Sequence, residues 1–142
     1  MIVSAYTVLL TWIAAVAGEA EFTSATWANK ITDPSALTDD QLPYLFVFNE
    51  ESTVALLDWQ QRETTLEFDC WIVERTTGQG IIDLIEVIED LAVTDPTLSN
   101  KVRTWHVASW AIYELPDTDE TGDETDPIRL ALVHVSTERI EG

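Results

Sequence analysis

The sequence predicts an α+β fold, a largely antiparallel β-sheet with two amphipathic helices packed on one face. Three observations carry this. Residues 1–17 and 81–92 repeat apolar side chains at helical spacing, and segments near 44–48, 62–75, 102–115 and 128–140 have strand length and strand composition. The order helix, short strand, two strands, helix, two strands then lets both helices cover the same side of one sheet. At 142 residues with 46% hydrophobic content, the chain suits one α+β domain spanning 1–142. A domain of that length buries roughly 70% of the surface its unfolded chain exposes and needs neither disulfide nor metal to fold.

In the first element Ile2, Val3, Tyr6, Leu9, Leu10, Ile13 and Val16 form an apolar stripe, with Ser4, Thr7 and Thr11 on the other side. Gly18 ends it. A secretory signal would carry an early basic residue, but the first is Lys30, and only Ala15-Val16-Ala17 resembles a cleavage site. Seventeen residues also fall short of the roughly 20 that cross a bilayer, so the segment reads as a helix on the core.

Residues 25–32, with Trp27 and Ile31, form a short strand closed by Asp33-Pro34. Tyr44-Leu45-Phe46-Val47-Phe48 reads as a central strand, and 49–61 as a polar connection interrupted by Val54-Ala55-Leu56-Leu57. In the long strand 62–75, Leu66, Phe68, Cys70 and Ile72 face the core, while Glu67, Asp69, Trp71 and Val73 face a half-wet side. Residues 76–80 form a flexible turn. From Ile81 the stripe of Ile81, Leu84, Ile85, Ile88, Leu91 and Ala92 marks the second helix, which Asp95-Pro96 stops. The last two strands flank an acidic connecting loop, 116–127. The final one is apolar on both faces near its middle and belongs in the sheet interior.

The formal charge is −19, from 7 Lys and Arg against 26 Asp and Glu. A protein that holds phosphate backbones needs clustered cations, so this balance excludes that class. Only two lysines are present, Lys30 and Lys101. Self-repulsion opposes compaction at physiological salt, where the screening length is about 8 Å, but less near 1 M, where it is about 3 Å. The composition therefore reads as adaptation to a salt-rich cytoplasm, with an ordinary acidic protein or a mimic of the DNA phosphate array as alternatives.

No motif for catalysis or a cofactor emerges. Asp117-Thr118-Asp119-Glu120-Thr121-Gly122 opens like a calcium loop, but position twelve is Ile128 and strands flank it. Asp83, Glu86, Glu89 and Asp90 lie on the solvated side of their helix. His106 and His134 sit in strands without a nearby Cys or an Asp partner visible in sequence. Cys70 reads as a small core hydrophobe, and Gly78-Gln79-Gly80 lacks the rest of a phosphate loop. Instead the six tryptophans, 12, 27, 59, 71, 105 and 110, exceed what one small core encloses, which points to contact surfaces. Simple alternation puts Trp105 and Trp110 on opposite faces of their strand.

Taken together, the N-terminal helix, the Leu42-Pro43-Tyr44-Leu45-Phe46-Val47-Phe48 strand, the long strand carrying Leu66 to Arg75, the helix Ile81 to Leu91, the Asp95-Pro96-Thr97-Leu98 turn and two closing strands resemble the tail-terminator, or tail-completion, proteins of long-tailed viruses. The resemblance implies a non-enzymatic virion protein without cofactors, forming a hexameric ring that caps the tail tube and docks it to the neck or head-completion protein. A head-completion or connector-ring subunit is the nearest alternative. The extreme acidity departs from the family and suits a virus of a salt-loving host. Ring closure needs two different complementary patches. The residues assigned to contacts are Leu56, Leu57 and Trp59 in the 49–61 connection, Trp71 on the open sheet face, and Asp117, Asp119, Glu120, Asp123, Glu124 and Asp126 in the acidic loop. Lining the ring's opening, those carboxylates would let DNA pass without sticking.

Overall fold

The computed structural model describes residues 3–28, 33, 37–56, 62–114 and 127–141. Its order is α1 (Ala5–Ala17), β1 (Thr26–Ala28), β2 (Tyr44–Leu56), β3 (Arg62–Arg75), α2 (Gly78–Thr94), β4 (Thr104–Glu114) and β5 (Ile128–Glu141). The five strands form one mixed, mostly antiparallel sheet in the order β1-β2-β3-β5-β4. Only β1 and β2 run parallel. The fold is therefore α+β as expected, and β5 is interior, between β3 and β4. Among the described residues no helix is long and apolar enough to cross a membrane.

Both helices pack on the same sheet face, α2 by its expected stripe but α1 by a rotated one: Tyr6 and Leu10, expected inward, are exposed, because the Val8, Trp12 and Val16 side carries the large Trp12 ring into the core. Ser4 caps α1 by accepting the Thr7 N–H at 3.1 Å, and Val8, Trp12 and Val16 point inward. Ile81, Ile85, Ile88 and Leu91 of α2 meet them over Leu45, Leu66, Phe68, Cys70, Ile72, Ala131, Val133 and Val135. Fully burying each such aliphatic side chain stabilises the fold by about 1.5–3 kcal/mol. Trp12 is the hub. Its ring meets Phe68 at 4.9 Å, Trp105 at 6.3 Å and Trp27 at 6.4 Å between centroids, all edge-to-face, the arrangement the aromatic quadrupole favours.

Several local expectations change. Residues 49–56, expected as a connection, continue β2. Asn49 adopts a left-handed φ of 57° and the register shifts between Phe48 and Glu51, a bulge after which pairing with β3 runs to Leu56 opposite Arg62. Cross-strand hydrogen bonding makes this polar stretch a strand. A second bulge, between Val107 and Ser109, overturns the placement of Trp105 and Trp110 on opposite faces. Trp105 pairs with Thr137 and Trp110 with Val133, and both lie on the helix-covered side. Trp105 is buried; Trp110 is 43% exposed at the β4 edge.

Helix α2 begins at Gly78, inside the expected turn. Thr77 accepts the Gly80 N–H at 3.0 Å, and a Cβ on Gly80 would collide with the Thr76 hydroxyl, so glycine there allows a tight first turn. After α2, Leu98, Ser99 and Asn100 take φ of 47°, 58° and 66°. Left-handed backbone costs about 1–2 kcal/mol per residue. The offsetting contacts are burial of Leu98 and bonds from Val102 N–H to the Thr97 carbonyl and from the Trp105 indole to the Asp95 carbonyl at 2.8 Å.

The opposite sheet face is only partly open. Leu37 and Leu42 cover Tyr44, Phe46 and Val73 at one end, so Val73, expected on the half-wet side, is buried. The acidic loop, apart from Pro127, lies outside the described residues, as do 29–32 of the expected first strand.

Because Trp12 ties α1 to three rings, Trp12→Ala is expected to cost about 3–5 kcal/mol in urea unfolding at molar salt. A loss below about 1 kcal/mol would show that the ring cluster is not central to stability.

Candidate functional site

The open sheet face carries an aromatic cluster. Phe46 and Phe48 stack at 5.6 Å, and Trp71 stands edge-on to Phe48 at 5.5 Å and to Phe46 at 6.3 Å. Trp71, assigned to contacts from sequence, is half-buried here. Leu130 and Leu132 of β5 and the exposed Tyr113 of β4 extend the apolar surface across the sheet, because each shares a cross-strand register with this face.

Beside this cluster sits a polar centre that the sequence did not disclose. His134 of β5 lies directly opposite Asp69 of β3. Its Nδ1 is 2.7 Å from an Asp69 oxygen and its Nε2 is 3.2 Å from Glu67. Asn49, in the β2 bulge, donates to the other Asp69 oxygen at 3.0 Å. These residues line a shallow cleft of about 430 Å³ with Glu50 and Glu51. Ser109 of β4 is His134's opposite neighbour on the far side. The expectation that neither histidine has an acidic partner is thus corrected for His134. The partner is 65 residues away and only the strand register brings it near.

A neutral imidazole donates from one nitrogen only, whereas here both face carboxylate oxygens, so the geometry is satisfied by imidazolium. Accordingly, the hydrogen bond to Asp69 raises the His134 pKa; partial burial opposes this, and Glu67 adds to the rise. The two carboxylates flank the imidazole, one at each nitrogen. Among the described residues no group of three His, Cys, Asp or Glu side chains is arranged to hold a metal. Cys70 points to the other face, fully buried, and burial pushes its thiol well above the usual range.

A second concavity lies on the helix side. Ala5, Tyr6 and Leu9 of α1, with Glu50 of β2 and Leu66 of β3, line an apolar groove of about 310 Å³. Tyr6 is 69% exposed, and Leu10 beyond it is exposed too. Sequence reasoning placed α1 on the core but missed that its outer side is also apolar, although residues 3–18 carry no charge.

Among the described strands, part of β2 and all of β4 also lack an outer neighbour. β1 covers β2 only from Tyr44 to Phe46. Of the residues assigned to contacts, Leu56 ends β2, strongly exposed. Leu57, Trp59, Asp117, Asp119, Glu120, Asp123, Glu124 and Asp126 lie outside the described residues. Asp83, Glu86, Glu89 and Asp90 are exposed along α2, as the helical spacing requires, and His106 is exposed on β4.

Among the described residues these layers define a two-helix, five-stranded α+β architecture. By fold, the chain is similar to one titled "Virion of native gene transfer agent (GTA) particle", with a TM-score of 0.57, 14% sequence identity and 92% of each chain covered. At that identity the likeness is one of fold. By sequence, the chain matches no protein-family model and no curated protein.

Since the folded-state pKa of His134 is raised, its stabilising contribution is complete below the unfolded value near 6.5 and is lost as pH rises through the folded value. Unfolding free energy at constant molar salt should therefore fall above pH 6.5, and His134→Gln should remove that slope. An identical pH profile in the variant would show that the centre does not bind the proton.

Proposed function

We propose that this chain is a structural virion protein of the tail-terminator kind, forming a homo-oligomeric, hexameric ring that caps the tail tube and docks it to the head-neck complex. The observation that carries this reading is the shared fold with a chain of a gene transfer agent virion over 92% of both chains. The sheet's form supports it. A cyclic ring joins unlike patches head to tail, and β2 and β4 offer different free edges at opposite sides of one sheet. Exposed apolar side chains flank both, Val54 and Leu56 on β2 and Trp110 and Tyr113 on β4.

The partners proposed are further copies of the chain, the tail tube protein and a neck or head-completion protein, at the tail-neck junction of a particle assembled in a high-salt host cytoplasm. The acidic loop is assigned to the ring opening, where its carboxylates repel passing DNA. The sheet face bearing Trp71, Phe48 and Leu132 suits a protein partner, since aromatic side chains concentrate at interface centres.

With −19 on each copy, ring contacts require screening. Electron microscopy and sedimentation should show annuli with a central hole at molar salt, single subunits after dilution of the salt, and annuli at the ends of added tail tubes. Single globules at every salt concentration would overturn the ring, and annuli that bind neck particles but not tubes would overturn the terminator placement.

A further inference from the structure

Two surfaces poor in charge stand out on a chain this acidic, one over β2 and β3 and the other on the edge strand β4. One is the groove between α1 and β2, built on a segment without charge from residue 3 to 18. The other is the stretch of β4 from 107 to 113, also without charge, from which Trp110 projects, 43% exposed, on the helix-covered side. Copies carrying −19 each approach most closely where carboxylates are fewest, because desolvating like charges is costly in any contact.

We infer that the groove lined by Ala5, Tyr6, Leu9 and Leu66 receives the Trp110 side chain of a neighbouring copy, which locks the ring contact; this rests on the ring reading above. The chemistry matches. Tryptophan has a large apolar body and a single N–H donor. The groove's surface is almost wholly apolar, it has room for one indole, and Glu50 is the single acidic residue lining it. The topology matches as well. Groove and tryptophan lie on the same side of the sheet, the groove over β2 and β3 and the tryptophan on β4 beyond β5, so the tryptophan that fills it comes from another copy. The contact is therefore between unlike patches, the type that closes rings. The Val107 to Ser109 bulge is what turns Trp110 to the helix side.

Two exposed substitutions test this by sedimentation at molar salt. Trp110→Glu breaks the knob and Tyr6→Glu places a second carboxylate beside Glu50 in the groove; circular dichroism confirms that each variant folds. Each alone should sediment as a single subunit. Mixed in equal amounts they should form dimers and nothing larger, since one intact knob still meets one intact groove. Trp110→Ala should weaken assembly by roughly 30-fold or more, as expected for a buried anchor. If the unaltered protein forms annuli and either variant does too, or if the mixture yields no dimers, the knob-and-groove contact is wrong while the ring stands. If the unaltered protein stays single at every salt concentration, the ring reading fails and takes this contact with it.

Discussion

Like-charge repulsion is the constraint to which the rest of this structure answers. With 26 acidic against 7 basic side chains, contacts within or between chains are favourable only where carboxylates are absent, paired or screened. Within the chain the cations act as ties. Arg75 reaches Asp39 at 3.1 Å, Arg129 binds Glu114 at 3.5 Å and the Thr76 carbonyl, and Arg139 donates to the Val3 carbonyl at the start of α1. The exposed pairs are worth little individually. Their consequence is positional, because they join β3 to the segment before β2, β5 to β4, and β5 to the start of α1. His134 performs a similar service on the open face, where its two ring nitrogens meet Asp69 and Glu67 of β3.

Two bulges give the sheet its functional shape. One, at Asn49, lets β2 extend past the body while placing an amide against Asp69. The other shifts β4 so that Trp105 and Trp110 share a side. Bulges increase local twist and blunt edge-to-edge pairing. Here they sit on the strands at or near the two free edges, where they decide which side chains a neighbouring molecule would meet.

Where apolar periodicity was strong, the sequence was informative. The stripe of α2, the inward set of Leu66, Phe68, Cys70 and Ile72, and the interior position of β5 follow from local spacing and are found as read, whereas α1 turns Val8, Trp12 and Val16 inward and leaves Tyr6 and Leu10 of its expected stripe exposed. The failures share a physical cause. Residues 49–56 are strand because β3 pairs with them, and their Ser, Thr and Glu content conceals this. Trp110 changes side because one inserted residue resets the alternation. The His134 centre depends on a register between strands far apart in sequence, which no local pattern encodes. Val73 is buried by Leu37 and Leu42, from a segment too short and irregular to carry a period.

If uncharged edges are where copies meet, association must protect those edges and leave the interior of the sheet unchanged. The most direct measurement is amide hydrogen exchange at one fixed molar salt concentration, comparing protein concentrations well below and well above assembly. Protection should rise at the outward amides of β2 beyond Phe46 and along β4, with β3 and β5 unaffected because their amides are already paired. Equal exchange at those two edges in dilute and concentrated samples, with annuli present in the latter, would contradict the claim that they form the subunit contact.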